Sequence, residues 1–282
     1  MLLKEIKKIF HKELDQLYGE HEVGSFFYLL IEHYLGLERF VLVLEPNLVV
    51  DKEGESKLFN ALSDLKLERP VQHIMGKAHF MDMEFDVGPH VLIPRPETEE
   101  LVRWILEDIK PKGKVLDILD LGTGSGCIAI SLARALDNVK ILGVDISDEA
   151  LKVAVQNATK NKVAVEFLKA DILNLSIKEK FDIIVSNPPY VRDLEKNKIN
   201  KNVVDFEPTS ALFVTNEEPL IFYRSIASFA SEQLKTNGIL YFEINQYLGK
   251  ETCNLLEGYG FDNIELRKDM FGNDRMIKAM KK

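Results

Sequence analysis

Four stretches of this 282-residue sequence hold residues whose types and spacing could do chemistry. The first is "DLGTGSG" (120–126), where Gly122, Gly124 and Gly126 alternate with Thr123 and Ser125 just after an apolar run. The second is Asp145, which closes "ILGVD", and the third is Asp171 in "LKADIL". The fourth is "SNPPYV", in which Asn187, Pro188, Pro189 and Tyr190 end another apolar run. A glycine loop between a strand and a helix lets backbone approach a ligand closely and offers the free N–H groups of the helix N-terminus. An acid at the end of the next strand, here about twenty residues on, can accept hydrogen bonds from both hydroxyls of a ribose. The spacing is G-x-G-x-G after an acid, not the G-x-G-x-x-G of dinucleotide binders. Asp120 would repel a pyrophosphate but suit a cationic aminoacyl group, and Asp171 follows a strand where an adenine amine could be read. These acids favour S-adenosylmethionine, which carries adenosine, an ammonium and a sulfonium but no phosphate.

Asn-Pro-Pro-Tyr suits a difficult nucleophile. The nitrogen of a carboxamide or of adenine's exocyclic amine has its lone pair delocalised, so it must be aimed at a methyl donor by acceptors that hold its N–H groups. Asn187 supplies a side-chain carbonyl, and Pro188 a main-chain carbonyl whose direction the restricted φ of proline fixes. Tyr190 can lie flat against a planar group. Because a sulfonium is already an activated leaving group, orientation and in-line approach supply most of the catalysis. No strong base is evident: all six histidines precede residue 91. His73, His79 and His90 lack metal-ligand spacing, and no metal is expected.

These residues need a doubly wound frame. Apolar strands "VLDILDLG", "KILGVDI", "VAVEFL" and "FDIIVSN" alternate with helical segments 126–136 and 148–160, which predicts a parallel sheet with right-handed crossovers. "GILYFEIN", a helix near 247–257, "FDNIELRKD" and "DRMIKAM" then predict an antiparallel hairpin at one sheet edge. Before the sheet, "ETEELVRWILEDIK" reads as a helix with Trp104 in the core. Residues 76–95 alternate in "HFMDMEFDV", break at Gly88-Pro89 and resume in "HVLIP", which predicts a β-hairpin linker turning at that dipeptide. Residues 1–75 read as a small helical domain: Leu2, Leu3, Ile6, Ile9, Phe10 and Leu14 recur at helical spacing, Ser25 is a candidate N-cap for "GSFFYLLIEHYLG", and "KLFNALSDL" gives another stripe. The predicted boundaries are 1–75, 76–95 and 96–282.

Bulk composition narrows the function classes. A 46% hydrophobic and 29% charged chain can bury a real core. Two cysteines, Cys127 and Cys253, give neither a disulfide framework nor a zinc site, and the charged N-terminal stretch is no signal peptide. No stretch reads as a membrane span, and a cytoplasmic location is expected. The net charge is −9, with 9 basic against 13 acidic residues over 1–75 and 27 against 32 beyond, so the basic footprint of a nucleic-acid binder is missing.

"LIPRPETEELV", "DLGTGSGCIAISLA", "VDIS", "SNPPYV", "DFEPTSAL" and "FGNDRM" occur in an order that resembles the HemK/PrmC family, protein-(glutamine-N5) methyltransferases acting on peptide chain release factors. The resemblance covers about 70–282 and implies a Rossmann-like S-adenosylmethionine-dependent methyltransferase fold with a mostly parallel seven-stranded sheet. It implies that Gly122, Thr123, Gly124, Ser125, Gly126, Asp145, Asp171, Ile172 and Asn187 contact S-adenosylmethionine, with S-adenosylhomocysteine as product. It also implies that Asn187, Pro188, Pro189 and Tyr190 bind the glutamine of a Gly-Gly-Gln tip, and that Asn187, Pro188 and Tyr190 are catalytic. Pro94, Arg95, Pro96 and Thr98 fall where the linker meets the pocket. "ALFVTNEEPL" (211–220) departs from the family in lacking glycines after Ala-Leu. The alternatives are N6-adenine methylation of DNA or RNA, which uses the same Asn-Pro-Pro-aromatic logic, and a non-catalytic module on a decayed site. A decayed site should have lost a glycine or Asn187, and neither is lost.

Overall fold

A computed structural model describes residues 1–109, 113–199 and 201–282. The chain forms two compact units, one of residues 1–76 with 201–206, the other of 77–200 with 207–282.

The first unit is helical: α1 (Leu3–Tyr18), α2 (Glu20–Leu35), α3 (Val41–Leu44), α4 (Lys52–Lys66) and α5 (Val71–Met75). Leu3, Ile6, Phe10 and Leu14 fall on one face of α1 and are fully buried against Phe27 and Leu30 of α2 and Leu58 and Leu65 of α4. Phe10 meets Phe27 edge to face with centroids 5.3 Å apart. Asp51 caps α4 by accepting the Gly54 N–H at 2.8 Å. Ser25 is not an N-cap. The helix begins five residues earlier, after Gly19, and Ser25 sits inside it, donating its hydroxyl to the His21 carbonyl at 3.0 Å.

The second unit opens with a hairpin, β1 (Lys77–Phe80) and β2 (Met83–Asp86). Its turn is at Met81-Asp82, not at Gly88-Pro89. Both turn residues have positive φ, 49° and 59°, so the turn's twist matches that of the strands. Phe80 and Phe85 are thereby buried together, and 90–94 form no strand. Next come α6 (Pro96–Asp108), β3 (Leu116–Leu121), α7 (Cys127–Ala135), β4 (Val139–Asp145), α8 (Asp148–Lys160), β5 (Glu166–Lys169) and β6 (Phe181–Ser186). The helix expected over 97–110 ends at Asp108, and Lys110 lies outside the described residues. Two short paired strands, β7 (Val191–Arg192) and β8 (Phe213–Val214), flank α9 (Lys201–Phe206), which packs with the first unit. The chain ends with α10 (Ile221–Gln233), β9 (Leu234–Glu243), α11 (Gly249–Gly258), β10 (Phe261–Lys268) and β11 (Asp274–Lys281).

The seven-stranded sheet has the order β10-β11-β9-β6-β3-β4-β5. β3, β4, β5, β6 and β9 run parallel, while β11 pairs antiparallel with both β9 and β10. Both faces of the central strands β3, β6 and β9 are covered, which is why they read as unbroken apolar runs. Leu119, Ile184, Leu240 and Phe242 pack on one face with Tyr223, Ile226 and Ala230 of α10. Ile118, Ile183, Val185 and Tyr241 pack on the other with Leu101, Trp104 and Ile105 of α6 and Leu132 of α7. The chain winds outward from β3 to β4 and β5, then returns to lay β6 on β3's other side. Strand order therefore reverses there, and ligands bind outside the carboxyl ends of strands at such a switch point.

Candidate active site

A cavity of about 500 Å3 opens at those carboxyl ends. Gly122, Thr123, Gly124, Ser125, Asp145, Asp171, Ile172, Asn187 and Pro189 of the predicted site line it, as do Pro94, Arg95 and Thr98. Gly126, Pro188, Tyr190 and Pro96 are not among its lining residues. Gly126 lies behind the loop as the N-cap of α7, with φ +82° and Ile130 and Ala154 closely packed where a side chain would project. Pro96 occupies the first turn of α6, where a missing N–H costs nothing.

The glycine loop is held from three sides. Gly122 and Thr123 both donate their N–H groups to the Val144 carbonyl of β4, at 2.8 and 2.9 Å. Asp145 accepts the Gly124 N–H through Oδ2 and the Ser147 N–H through Oδ1, each at 2.9 Å. Asn157 of α8, fully buried, donates to the Ser125 carbonyl at 2.9 Å and pairs with both backbone groups of Asp86. Asp120 does not line the cavity. Its Oδ2 takes the Thr123 hydroxyl at 2.6 Å and the Ala129 N–H at 3.3 Å, capping α7 from within the core. Complete burial, opposed by these two bonds and reinforced by the Asp145 charge, pushes its pKa up to about 7. Asp171 caps a short 3-10 turn (Ile172–Asn174) by accepting the Leu173 N–H at 2.9 Å, and it lines the cavity as well.

Asn187 ends β6. Its Nδ2 donates to Thr98 Oγ1 at 3.2 Å, Thr98 donates to Glu243 Oε2 at 2.6 Å, and Tyr190 donates its phenolic hydroxyl to Glu243 Oε1 at 2.9 Å. Burial pushes the Glu243 carboxyl up, against the opposing pull of Thr98, Tyr190 and the Arg275 charge. Tyr190 itself is pushed far above the usual phenol range by burial and the Glu243 charge, so it remains a donor. Beyond it, Asn245 donates to the Tyr190 carbonyl at 2.9 Å and to Glu195 at 2.8 Å, fixing where the Asn-Pro-Pro-Tyr segment ends.

Four acids and amides that hold this site escaped the sequence reading. Glu243 and Asn245 come at the carboxyl end of β9, and an acid ending an apolar strand was the available signal. Glu195 gave none. Glu207, within the quoted "DFEPTSAL", is buried, accepts the Ile93 N–H at 3.1 Å and forms an ion pair with Arg95, so it clamps the 93–95 edge of the cavity.

The lining chemistry bears on the cofactor. Asp145 and Asp171 face a space with no lysine among its lining residues, and Arg95, its one arginine, is already paired with Glu207. A phosphate would meet carboxylates with neither a lysine nor an unpaired arginine among the lining residues to offset them. An adenosyl compound that is cationic and phosphate-free fits the donor set, and the volume lies within the usual range for a small-molecule site. Among the described residues, no cluster of three or more His, Cys, Asp or Glu is placed to hold a metal, and no helix is long and apolar enough to cross a membrane.

Comparison with known proteins agrees with this geometry. Residues 80–208 match the Methyltransferase small domain family and residues 12–76 the PrmC N-terminal domain. The chain is 50% identical over 282 residues to the release factor glutamine methyltransferase of Flavobacterium psychrophilum, with 99% of each chain covered. It is 39% identical over 279 residues to that of Bacteroides thetaiotaomicron, covering 98% of this chain and 99% of the relative. In fold it is similar to a 16S rRNA methyltransferase from T. thermophilus solved with AdoMet and guanosine: TM-score 0.53, 20% identity, 73% of this chain and 50% of that one. The full-length identity decides between glutamine and adenine as the family's acceptor: this chain is a methyltransferase and belongs to the release factor glutamine methyltransferase family.

Proposed function

We propose that this protein methylates the side-chain amide nitrogen of the glutamine in the Gly-Gly-Gln tip of peptide chain release factors, with S-adenosylmethionine as donor, and so supports translation termination in the cytoplasm. The observation that carries the reading is Asn187: it lines the cavity, its Nδ2 is engaged by Thr98, and its Oδ1 takes no proton from any described residue. That oxygen is an acceptor held ready for one N–H of an incoming primary amide. The Pro188 carbonyl, on a segment directed by two consecutive prolines whose neighbours Asn187 and Pro189 line the cavity though Pro188 does not, accepts the other. With both N–H groups held, the nitrogen faces the donor side of the cavity, and the rate gain comes from restricting approach rather than from proton removal.

S-adenosylmethionine, when bound, supplies a methyl group on a positively charged sulfur. The chain's part is to hold it: Asp145 takes the ribose hydroxyls, Asp171 and the Ile172 N–H read the adenine edge, and Gly122 to Ser125 bring backbone against the aminoacyl end. Each Asp145 oxygen keeps a lone pair beyond its single backbone bond. The helical residues 1–75 recognise the release-factor body, and residues 96–282 carry the chemistry. The test is mass spectrometry of a purified release factor incubated with this protein and S-adenosylmethionine. One added methyl on the tip glutamine is expected; methyl elsewhere, or none, overturns the reading.

A further inference from the structure

The hydroxyl and carboxylate behind Asn187 form a directional chain. Thr98 has one proton to give and stands between two partners, the Asn187 amide at 3.2 Å and Glu243 at 2.6 Å. A carboxylate only accepts. Both Glu243 oxygens receive hydroxyl protons, Oε2 from Thr98 and Oε1 from Tyr190. Thr98 therefore has only lone pairs left for Asn187, which must present Nδ2 to it and leave Oδ1 toward the cavity. We propose that Glu243 is a positioning residue whose acceptor-only carboxylate, acting through Thr98, sets which end of the Asn187 amide faces the substrate.

This inference rests on glutamine as the acceptor, because a primary amide must meet an oxygen at that point and would be repelled by an N–H2. Glu243 is 2% exposed, and Thr98 is 2% exposed, so water does not compete for either bond. Arg275, ion-paired with Asp269 at 3.1 Å and donating to the Ile244 carbonyl at 3.3 Å, carries a positive charge that pulls the Glu243 pKa down against the burial that raises it. This gives the otherwise unused "FGNDRM" segment a task. Asp269 gathers the N–H groups of Phe271 and Asn273 at 3.0 and 2.9 Å and thereby fixes Arg275 behind the acid. A glutamine at 243 has nearly the same shape but can donate. It would then offer a proton to Thr98, free the Thr98 proton for Asn187 Oδ1, and allow the Asn187 amide to turn its nitrogen to the cavity.

Two measurements on the full-length protein test this. In single-turnover methylation of a release factor with saturating S-adenosylmethionine, Glu243→Gln should slow the step by roughly tenfold to a hundredfold, the range up to loss of one preorganised group. Cofactor affinity should stay within about twofold, since neither Glu243 nor its amide reaches the adenosyl site. Thr98→Val should fall similarly, Thr98→Ser should recover to within about threefold, and the Thr98→Val/Glu243→Gln double variant should fall no further than the worse single. Losses that multiply, or a Glu243→Gln rate near that of the unchanged protein, overturn the proposal. The second measurement needs no substrate: the Asn187 side-chain NH2 pair, identified by its loss in Asn187→Asp, is followed by NMR. Its hydrogen-bonded proton should shift and exchange faster in Glu243→Gln, and an unchanged pair overturns the proposal. If the unaltered protein leaves release factors unmethylated, the functional reading fails while the NMR result still decides the polarity.

Discussion

Two glycines in the same loop should respond to a single methyl group in opposite ways. At Gly126 an added Cβ would lie 2.8 Å from Ile130 Cδ1, 3.3 Å from Ala154 Cβ and 3.4 Å from Ala154 Cα, with φ at +82°. The isoleucine tip can swing away, but the Ala154 atoms belong to α8 and cannot. Left-handed backbone costs a non-glycine residue about 1–2 kcal/mol, and overpacking a tight interior about 1–3 kcal/mol more. Gly126→Ala should therefore lose about 2–5 kcal/mol of stability, a melting midpoint lower by on the order of 10 °C. At Gly124 φ is +55° and nothing lies within 4 Å of the new carbon, because it projects into open space where the loop lines the cavity. Gly124→Ala should cost about 1–2 kcal/mol of stability but weaken S-adenosylmethionine by roughly tenfold or more, since the methyl group occupies ligand volume and tilts the N–H that Asp145 holds. Thermal unfolding of both variants with and without cofactor reads the two effects together. Gly126→Ala should keep the rise in midpoint that cofactor binding gives, and Gly124→Ala should lose most of it. Full cofactor stabilisation of Gly124→Ala, or unchanged stability of Gly126→Ala, would refute the reasoning.

Three further perturbations probe other parts of the account. Asp145→Ala should weaken S-adenosylmethionine by roughly 1.5–3 kcal/mol, the scale for hydrogen bonds to a charged group; calorimetry showing unchanged affinity in a folded variant would remove Asp145 from the site. Asp120, ordinarily near 3.8 but here about 7 through burial, makes the folded state keep a proton that the unfolded chain releases. Its contribution is thus whole below about pH 4 and is lost as pH rises to 7, at about 1.4 kcal/mol per pH unit. Asp120→Asn should gain on the unchanged protein by a few kcal/mol across that window, whereas parallel pH profiles of unfolding would contradict the burial argument. In the helical unit, Phe40, Val43 and Leu44 are 67, 78 and 75% exposed, so replacing all three by serine should leave stability within about 0.5 kcal/mol. If that unit recognises the release-factor body, the same triple variant raises KM for whole release factor and not for a short Gly-Gly-Gln peptide; equal effects on both would count against recognition there.

What could be read in advance was whatever depends on neighbours in sequence. Strands such as "FDIIVSN" announced themselves because both faces of a parallel sheet are buried, and the glycine loop because its backbone needs glycine. The hairpin turn was misplaced because Gly88-Pro89 is the stronger turn signal, while Met81 and Asp82 take left-handed backbone only under pressure to bury Phe80 against Phe85. Ser25 resembled a cap because its helix starts with Glu20, His21 and Glu22, which leave no apolar period to reveal the first turn. The support behind the site was hidden for another reason. Thr98 and Glu243 are 145 residues apart, and Arg95 and Glu207 are 112 apart, so their pairing exists only once the sheet and the 93–98 edge have assembled.

The proposed function rests on Asn187 aiming a glutamine amide. The most direct measurement is the single-turnover rate of methyl transfer to a release factor by Asn187→Ala at saturating S-adenosylmethionine. Losing one preorganised acceptor should lower that rate by a factor of about a hundred or more while the fold is retained. A rate near that of the unchanged protein would contradict the account and leave Asn-Pro-Pro-Tyr as nothing more than the end of a strand.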